Sequence, residues 1–151
     1  AADGLATHTP RMFGFQAAGA APLVLGHDVE NPETVATAIR IGKPASGSKA
    51  LAARDDSNGL ISSVTDEQIL DAQAFLAAKE GIFVEPASAA GVAGLLALKQ
   101  SGDLPAGQRI VITVTGNGLK DIDTALSRTE LSTEAVEPST DRVAALLGLH
   151  R

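Results

Sequence analysis

Residues 109–118 read Arg109-Ile110-Val111-Ile112-Thr113-Val114-Thr115-Gly116-Asn117-Gly118. The first six are β-branched and continuous apart from the leading Arg. A short run of this kind fits a strand buried on both faces, as in a parallel sheet. The strand runs straight into a Thr-Gly-Asn-Gly turn. In open α/β sheets, ligands bind in the crevice beyond the carboxyl ends of the strands. Glycines there let a backbone approach a ring or phosphate closely. Thr115 would place a hydroxyl at the rim of that crevice. By itself a Gly-Asn-Gly turn after a strand can be no more than a turn.

Upstream of this strand, apolar patterning alternates between periods of two and 3.6. Arg11 to Ala17 suits a short buried strand around two Phe, and Ala18 to Leu25 a loop or single helical turn. Asn31-Pro32-Glu33 has the form of a helix start, with Asn as N-cap and Pro at the first helical position. The helix is expected to run to Ile41, with Val35, Ala38 and Ile39 facing the core and Gly42 as its stop. Lys43 to Lys49 reads as a loop, Ala50 to Arg54 as a short helix, Asp55 to Gly59 as a turn, and Leu60 to Val64 as a strand. Thr65-Asp66-Glu67-Gln68 is a capping box. It opens a helix to about Glu80, with Ile69, Ala72 and Leu76 as its stripe, Phe75 beside it and Gly81 at its close. Ile82 to Val84 is expected at a strand end.

A further helix is expected over Ala87 to Gln100. Its first turns are nearly all Ala, Ser and Gly, so it can approach another backbone or a flat ligand closely. Glu85 and Ser88 flank its start. A Glu beside a Pro at a helix start can simply complement the helix dipole; the functional alternative is a carboxylate facing a cofactor pocket. Beyond the Arg109 strand come a short helix over Asp121 to Ser127 and a polar stretch over Leu131 to Ser139. A terminal helix over Thr140 to Leu147 is stopped by Gly148. Strands alternating with helices mean an α/β fold.

Composition narrows the function. The chain has 151 residues, 44% hydrophobic and 20% charged, enough for one packed unit. Its net charge is −6. An acidic chain without a Lys/Arg cluster is a poor ligand for nucleic acid or an anionic membrane. With no Cys, disulfides and thiol nucleophiles are excluded. His8, His27 and His150 lie in no metal-ligand spacing. There is no P-loop, no GxGxxG and no serine-triad pattern. Lys79, Lys99 and Lys120 read as solvated. No apolar run approaches a membrane span and no signal peptide is visible, so the cytoplasm is the expected location. The start at Ala1 fits either removal of an initiator Met or a piece of a longer chain.

Four segments, in order and spacing, resemble the C-terminal portion of threonine synthase. They are FQAAGAAPLVLG (Phe15 to Gly26), ETVATAIRIGKPAS (Glu33 to Ser46), GIFVEPASAAGVAGLL (Gly81 to Leu96) and ITVTGNGLKDIDTAL (Ile112 to Leu126). The E-P-A-S-A-A segment is shared with relatives such as threonine dehydratase, whereas T-G-N-G-L-K-D points to threonine synthase. The resemblance implies the tryptophan synthase β-like fold, a three-layer parallel-type sheet with flanking helices. Residues 1–151 would be one partial unit of a two-domain enzyme, with residues 131–151 as a surface-wrapping tail and terminal helix.

The resemblance also implies a pyridoxal 5′-phosphate (PLP) cofactor and a lyase of threonine biosynthesis. That enzyme converts O-phospho-L-homoserine and water to L-threonine and phosphate, and is expected as a homodimer. Thr115 matches the hydroxyl that hydrogen-bonds the pyridine nitrogen. Gly116, Asn117 and Gly118 match the turn beside the ring, and Glu85 and Ser88 the helix start lining the pocket. The family's Schiff-base lysine and its phosphate loop belong to an N-terminal part whose motifs are absent from this sequence, and Lys120 is not that lysine. The chain alone is therefore expected to be inactive. Lys43 and Gly47 depart from the family's usual Asn and Trp. A dehydratase fragment and a non-catalytic remnant that binds a partner are the alternatives.

Overall fold

The computed structural model describes residue 4, residues 6–128 and residues 135–149. Strand β1 (Phe13–Ala17) and strand β2 (Leu60–Val64) pair in parallel, Phe13 opposite Leu60 through Ala17 opposite Val64. Parallel neighbours need a long crossover. Residues 18–59 supply it, carrying a 3-10 turn (Ala18–Ala20), helix α1 (Pro22–Leu25), a second 3-10 turn (Thr37–Ile39) and helix α2 (Gly47–Asp56).

Helix α3 (Asp66–Phe75) follows β2 and begins as the capping box requires. Gln68 N–H donates to Thr65 Oγ1 at 3.2 Å, and Thr65 N–H donates to Gln68 Oε1 at 2.8 Å. The helix continues as a π-turn over Leu76–Glu80 and stops at Gly81 in the left-handed region. Helix α4 (Pro86–Ser101) packs along α3 and crosses both strands. Between them lies the core: Ala17, Val64, Ile69, Ala72, Leu76, Val84, Ala89, Ala90, Val92 and Ala93, with Ala36 closing it from the crossover. The expected stripe Ile69, Ala72, Leu76 is buried, and Phe75 lies largely exposed beside it. Small side chains on α4 do permit close approach. A Cβ on Gly94 would fall 2.2 Å from the Phe15 ring, so only Gly lets α4 seat on β1.

Two expectations are corrected. No α-helix forms over Asn31 to Ile41; only the 3-10 turn Thr37–Ile39 is helical, and Ala36 is buried where Ala38 was expected. The carboxylate of Asp66 explains this. It accepts the hydroxyl of Thr34, and its other oxygen accepts Val35 N–H at 3.0 Å. Glu33 N–H donates to Gly19 O and Val29 N–H to Gly42 O. The backbone groups a helix would use are thus taken by tertiary partners.

The second correction concerns Arg109 to Val114. The segment forms no strand among the described residues, and Val111 is 90% exposed. Ile112 alone of the run packs against the core. A strand of a parallel sheet is made by its neighbours, and no ladder partner lies alongside this one. Smaller shifts also occur. Helix α2 starts at Gly47 and ends at Asp56, three residues earlier and two later than its apolar pattern suggests. Helices α5 (Ile122–Leu126) and α6 (Thr140–Leu146) fall inside their expected spans, and Gly148 adopts φ 66°. Of the expected surface tail, 131–134 lie outside the described residues and 135–139 are exposed.

Asp66 is a test of this tertiary control. Asp66→Ala leaves the buried Thr34 hydroxyl and Val35 N–H without their acceptor. Each orphaned group costs about 1–3 kcal/mol. We expect a stability loss of about 2 kcal/mol by urea denaturation; a loss below about 0.5 kcal/mol would show that the crossover is held by something else.

Candidate functional site at the start of α4

Glu85 is the N-cap residue of α4, yet its side chain does not cap the helix. Pro86 at the first helical position sets the entry angle, and Ser88 follows one turn in. Both Glu85 and Ser88 are buried. Opposite them lies the turn after the Arg109 segment. Glu85 N–H donates to Gly116 O at 3.0 Å, and Gly118 N–H donates to Phe83 O at 3.2 Å. Val84 and Asn117 form an antiparallel bridge, which is all that remains of the strand end expected at Ile82 to Val84.

Ser88 is the hub. Its Oγ accepts Thr115 N–H at 3.1 Å and Gly116 N–H at 2.6 Å, and it lies 3.1 Å from Thr115 Oγ1. Asn117 Oδ1 accepts Leu119 N–H at 2.9 Å and so caps the 3-10 turn Gly118–Asp121. The glycines are needed for space. A Cβ on Gly116 would fall 1.9 Å from Glu85 Oε1, and one on Gly118 2.5 Å from the Phe83 ring. Gly116 and Gly118 are buried, whereas Thr115 and Asn117 are exposed.

The fold therefore brings together all six residues singled out from the sequence: Glu85, Ser88, Thr115, Gly116, Asn117 and Gly118. The cluster offers a hydroxyl at an accessible rim, on a turn whose glycines let the buried Glu85 carboxylate and the Phe83 ring pack against its backbone. That arrangement can seat a flat ligand edge-on. Two supporting residues were missed. Phe83 sits against Gly118, and Gln73 donates from its Nε2 to Val84 O at 2.8 Å in a buried site. Gln73 falls four residues after Ile69 and three before Leu76, so its place on the buried stripe was visible.

The departures from the family loop lie elsewhere. Lys43 Nζ pairs with Asp28 Oδ2 at 3.0 Å, on the surface. Gly47 opens α2 against Leu23 and Pro44. Lys120 is exposed in the turn Gly118–Asp121. Among the described residues no group of three His, Asp or Glu could hold a metal ion, and no helix is long and apolar enough to cross a membrane.

Comparison with known proteins places this geometry. Residues 2–116 match the family described as "Pyridoxal-phosphate dependent enzyme". The chain is 58% identical over 125 residues to "Threonine synthase" of Mycobacterium leprae, covering 83% of this chain and 35% of that protein. It is 53% identical over 140 residues to "Threonine synthase" of Synechocystis, covering 92% and 36%. The chain thus spans about a third of the length of these curated relatives. Among solved structures, maize serine racemase superposes with a TM-score of 0.59 at 23% identity, over 78% of this chain and 39% of that one. A fungal L-serine ammonia-lyase from Rhizomucor miehei gives 0.58 at 23% identity, over 77% and 40%. These two carry the fold: α/β, with a parallel sheet. With residues 2–116 matched, the chain belongs to the pyridoxal-phosphate dependent enzyme family.

Proposed function

We propose that this chain is part of a threonine synthase, a PLP-dependent lyase that converts O-phospho-L-homoserine and water to L-threonine and phosphate. The observation that carries the reading is the Ser88–Thr115–Gly116 hydrogen-bonded cluster with Glu85 beside it. It occurs in a chain that shares more than half its aligned residues with proteins of that name.

The residues fit a pyridine ring. Thr115 offers a hydroxyl on an exposed rim, and the turn that carries it is held close to α4 because Gly116 and Gly118 leave room for Glu85 and Phe83. Bound PLP supplies an electron sink for proton transfers on the substrate carbons. In this reading Thr115 would meet the ring nitrogen, and a neutral hydroxyl, unlike an Asp, would not hold that nitrogen protonated. The turn Gly116-Asn117-Gly118 would lie beside the ring. Glu85 and Ser88 hold the turn in place, Glu85 through its N–H to Gly116 O and Ser88 through two backbone N–H groups. The Schiff-base lysine and the phosphate loop come from an N-terminal part of the whole protein, a homodimer of the cytoplasm. The support for these last features is the resemblance of the four segments.

The test is phosphate release from O-phospho-L-homoserine. The intact protein with PLP is expected to turn over, and residues 1–151 alone to release none above a boiled control. Turnover by residues 1–151 alone would show that the lysine requirement is wrong. Conversion of threonine to 2-oxobutanoate and ammonia by the intact protein, with no phosphate release, would instead make it a dehydratase.

A further inference from the structure

We propose that Gln73 is a positioning residue for this site: its amide holds the Val84–Glu85 peptide from behind, so that the opposite edge of the same peptide holds the turn at Gly116. Gln73 lies on α3, outside the cluster around Ser88. Its Nε2 donates to Val84 O at 2.8 Å, and Glu85 N–H donates to Gly116 O at 3.0 Å. Val84 O and Glu85 N–H belong to one peptide unit. That unit is planar and trans, so its C=O and N–H point in opposite directions. Gln73 and Gly116 therefore grip one rigid plate by its two edges.

The bridge itself creates the need for this grip. Val84 and Asn117 pair antiparallel through bonds made by their neighbours, Gly118 N–H to Phe83 O and Glu85 N–H to Gly116 O. In such a pair the C=O of the central residue points away from the partner strand. Val84 is 4% exposed, so its oxygen needs a donor from within the protein, and Gln73, itself 5% exposed, supplies it. Apolar packing does not replace the tie. Ile82 and Phe83, which lead from the π-turn into Val84, are both exposed. An accepting C=O also makes the N–H of the same peptide a better donor, since linked hydrogen bonds polarise one another. The position of α3 is thus carried through one peptide to the turn that bears Thr115. Ser88 holds the N–H side of that turn and Glu85 N–H its C=O side.

The effect on PLP rests on the site proposed above, whereas the grip on the peptide does not, and two readouts separate them. Gln73→Met keeps the length of the side chain and removes its donor. Residue-resolved hydrogen exchange on the intact protein is expected to show the Glu85 amide about tenfold less protected in this variant, measured against the Ile69 amide, which donates to Thr65 O inside α3. A merely structural role would lower both protections together. Equal losses, or none, overturn the proposal whether or not PLP binds.

Titration of the same protein with PLP, followed by visible absorbance, is expected to show binding about tenfold weaker in Gln73→Met, the scale of one lost neutral hydrogen bond. Affinity within about twofold of wild type, on a folded variant, overturns the positioning role. A wild-type protein that takes up no PLP overturns the cofactor reading instead, and the exchange ratio then decides for or against Gln73. Gln73→Leu, likewise without a donor, gives the same comparison if Gln73→Met does not fold. A crystal structure of the intact wild-type protein decides without any variant: a Gln73 amide turned away from Val84 O overturns the proposal.

Discussion

Ile69→Ala is expected to lower the unfolding free energy by about 3–4 kcal/mol, in the upper part of the range for large-to-small core changes. Two features place it there. Ile69 is fully buried, and with Val64 and Pro86 it is among the largest fully buried side chains of the described residues. The rest of the core cluster is mostly alanine: Ala17, Ala36, Ala72, Ala89, Ala90 and Ala93. An alanine has no rotamers with which to lean into a void, so the cavity left by Ile69 stays open. The cost of such a site grows with the volume that fails to collapse. Leu96→Ala on the same pair of packed helices is the comparison, since Leu96 is 37% exposed and its loss leaves a dent in the surface. It should cost about 1 kcal/mol. Urea denaturation of both variants decides the matter. An Ile69→Ala loss no greater than that of Leu96→Ala would mean that the α3–α4 seam relaxes, against the packing described above.

Gly116→Val is expected to reduce PLP affinity about a hundredfold. Even the first added carbon would fall 1.9 Å from Glu85 Oε1 and 2.7 Å from Glu85 Cγ. Glu85 is buried and its backbone is tied to this same turn, so it cannot simply swing into solvent. The turn must move instead. Moving it strains the bond from Gly116 N–H to Ser88 Oγ and the bond from Glu85 N–H to Gly116 O. Two neutral hydrogen bonds at about 1–1.5 kcal/mol each correspond to about a hundredfold. Titration of the intact protein with PLP, followed by visible absorbance, gives the affinity, and circular dichroism gives the fold. Affinity within about threefold of wild type, on a folded variant, would remove Gly116 from the site.

What could be read from the sequence follows a physical division. Thr65 and Gln68 bond to one another's backbone within one helical turn, and the start of α3 was legible for that reason. Gly81, which adopts the left-handed conformation at the close of that helix, was legible too. The stripe Ile69, Ala72, Leu76 carries its own period. The site residues were named from motifs, because Glu85, Ser88 and the Thr115–Gly118 turn keep their identities in a recognisable order.

Asn31-Pro32-Glu33 shows the limit. It carries an N-cap and a Pro in the right places, and no α-helix follows. Its local preference amounts to about 1 kcal/mol, whereas the Asp66 carboxylate engages two groups of this segment at once from more than thirty residues away. Arg109 to Val114 shows the same from the other side. A β-branched run has the propensity of a strand, but propensity supplies no ladder, and here none is made.

Local patterning located β1, β2, α3 and α4 and the stop glycines Gly81 and Gly148, since apolar period and caps are read over a few positions. The tertiary packing decided that Asp66 would unmake a helix and that the Gln73 amide would meet Val84 O. It also decided that Ser88 would spend both lone pairs on the Thr115–Gly116 backbone. These outcomes depend on which distant groups arrive within hydrogen-bond reach, a matter of chain packing that no local pattern records.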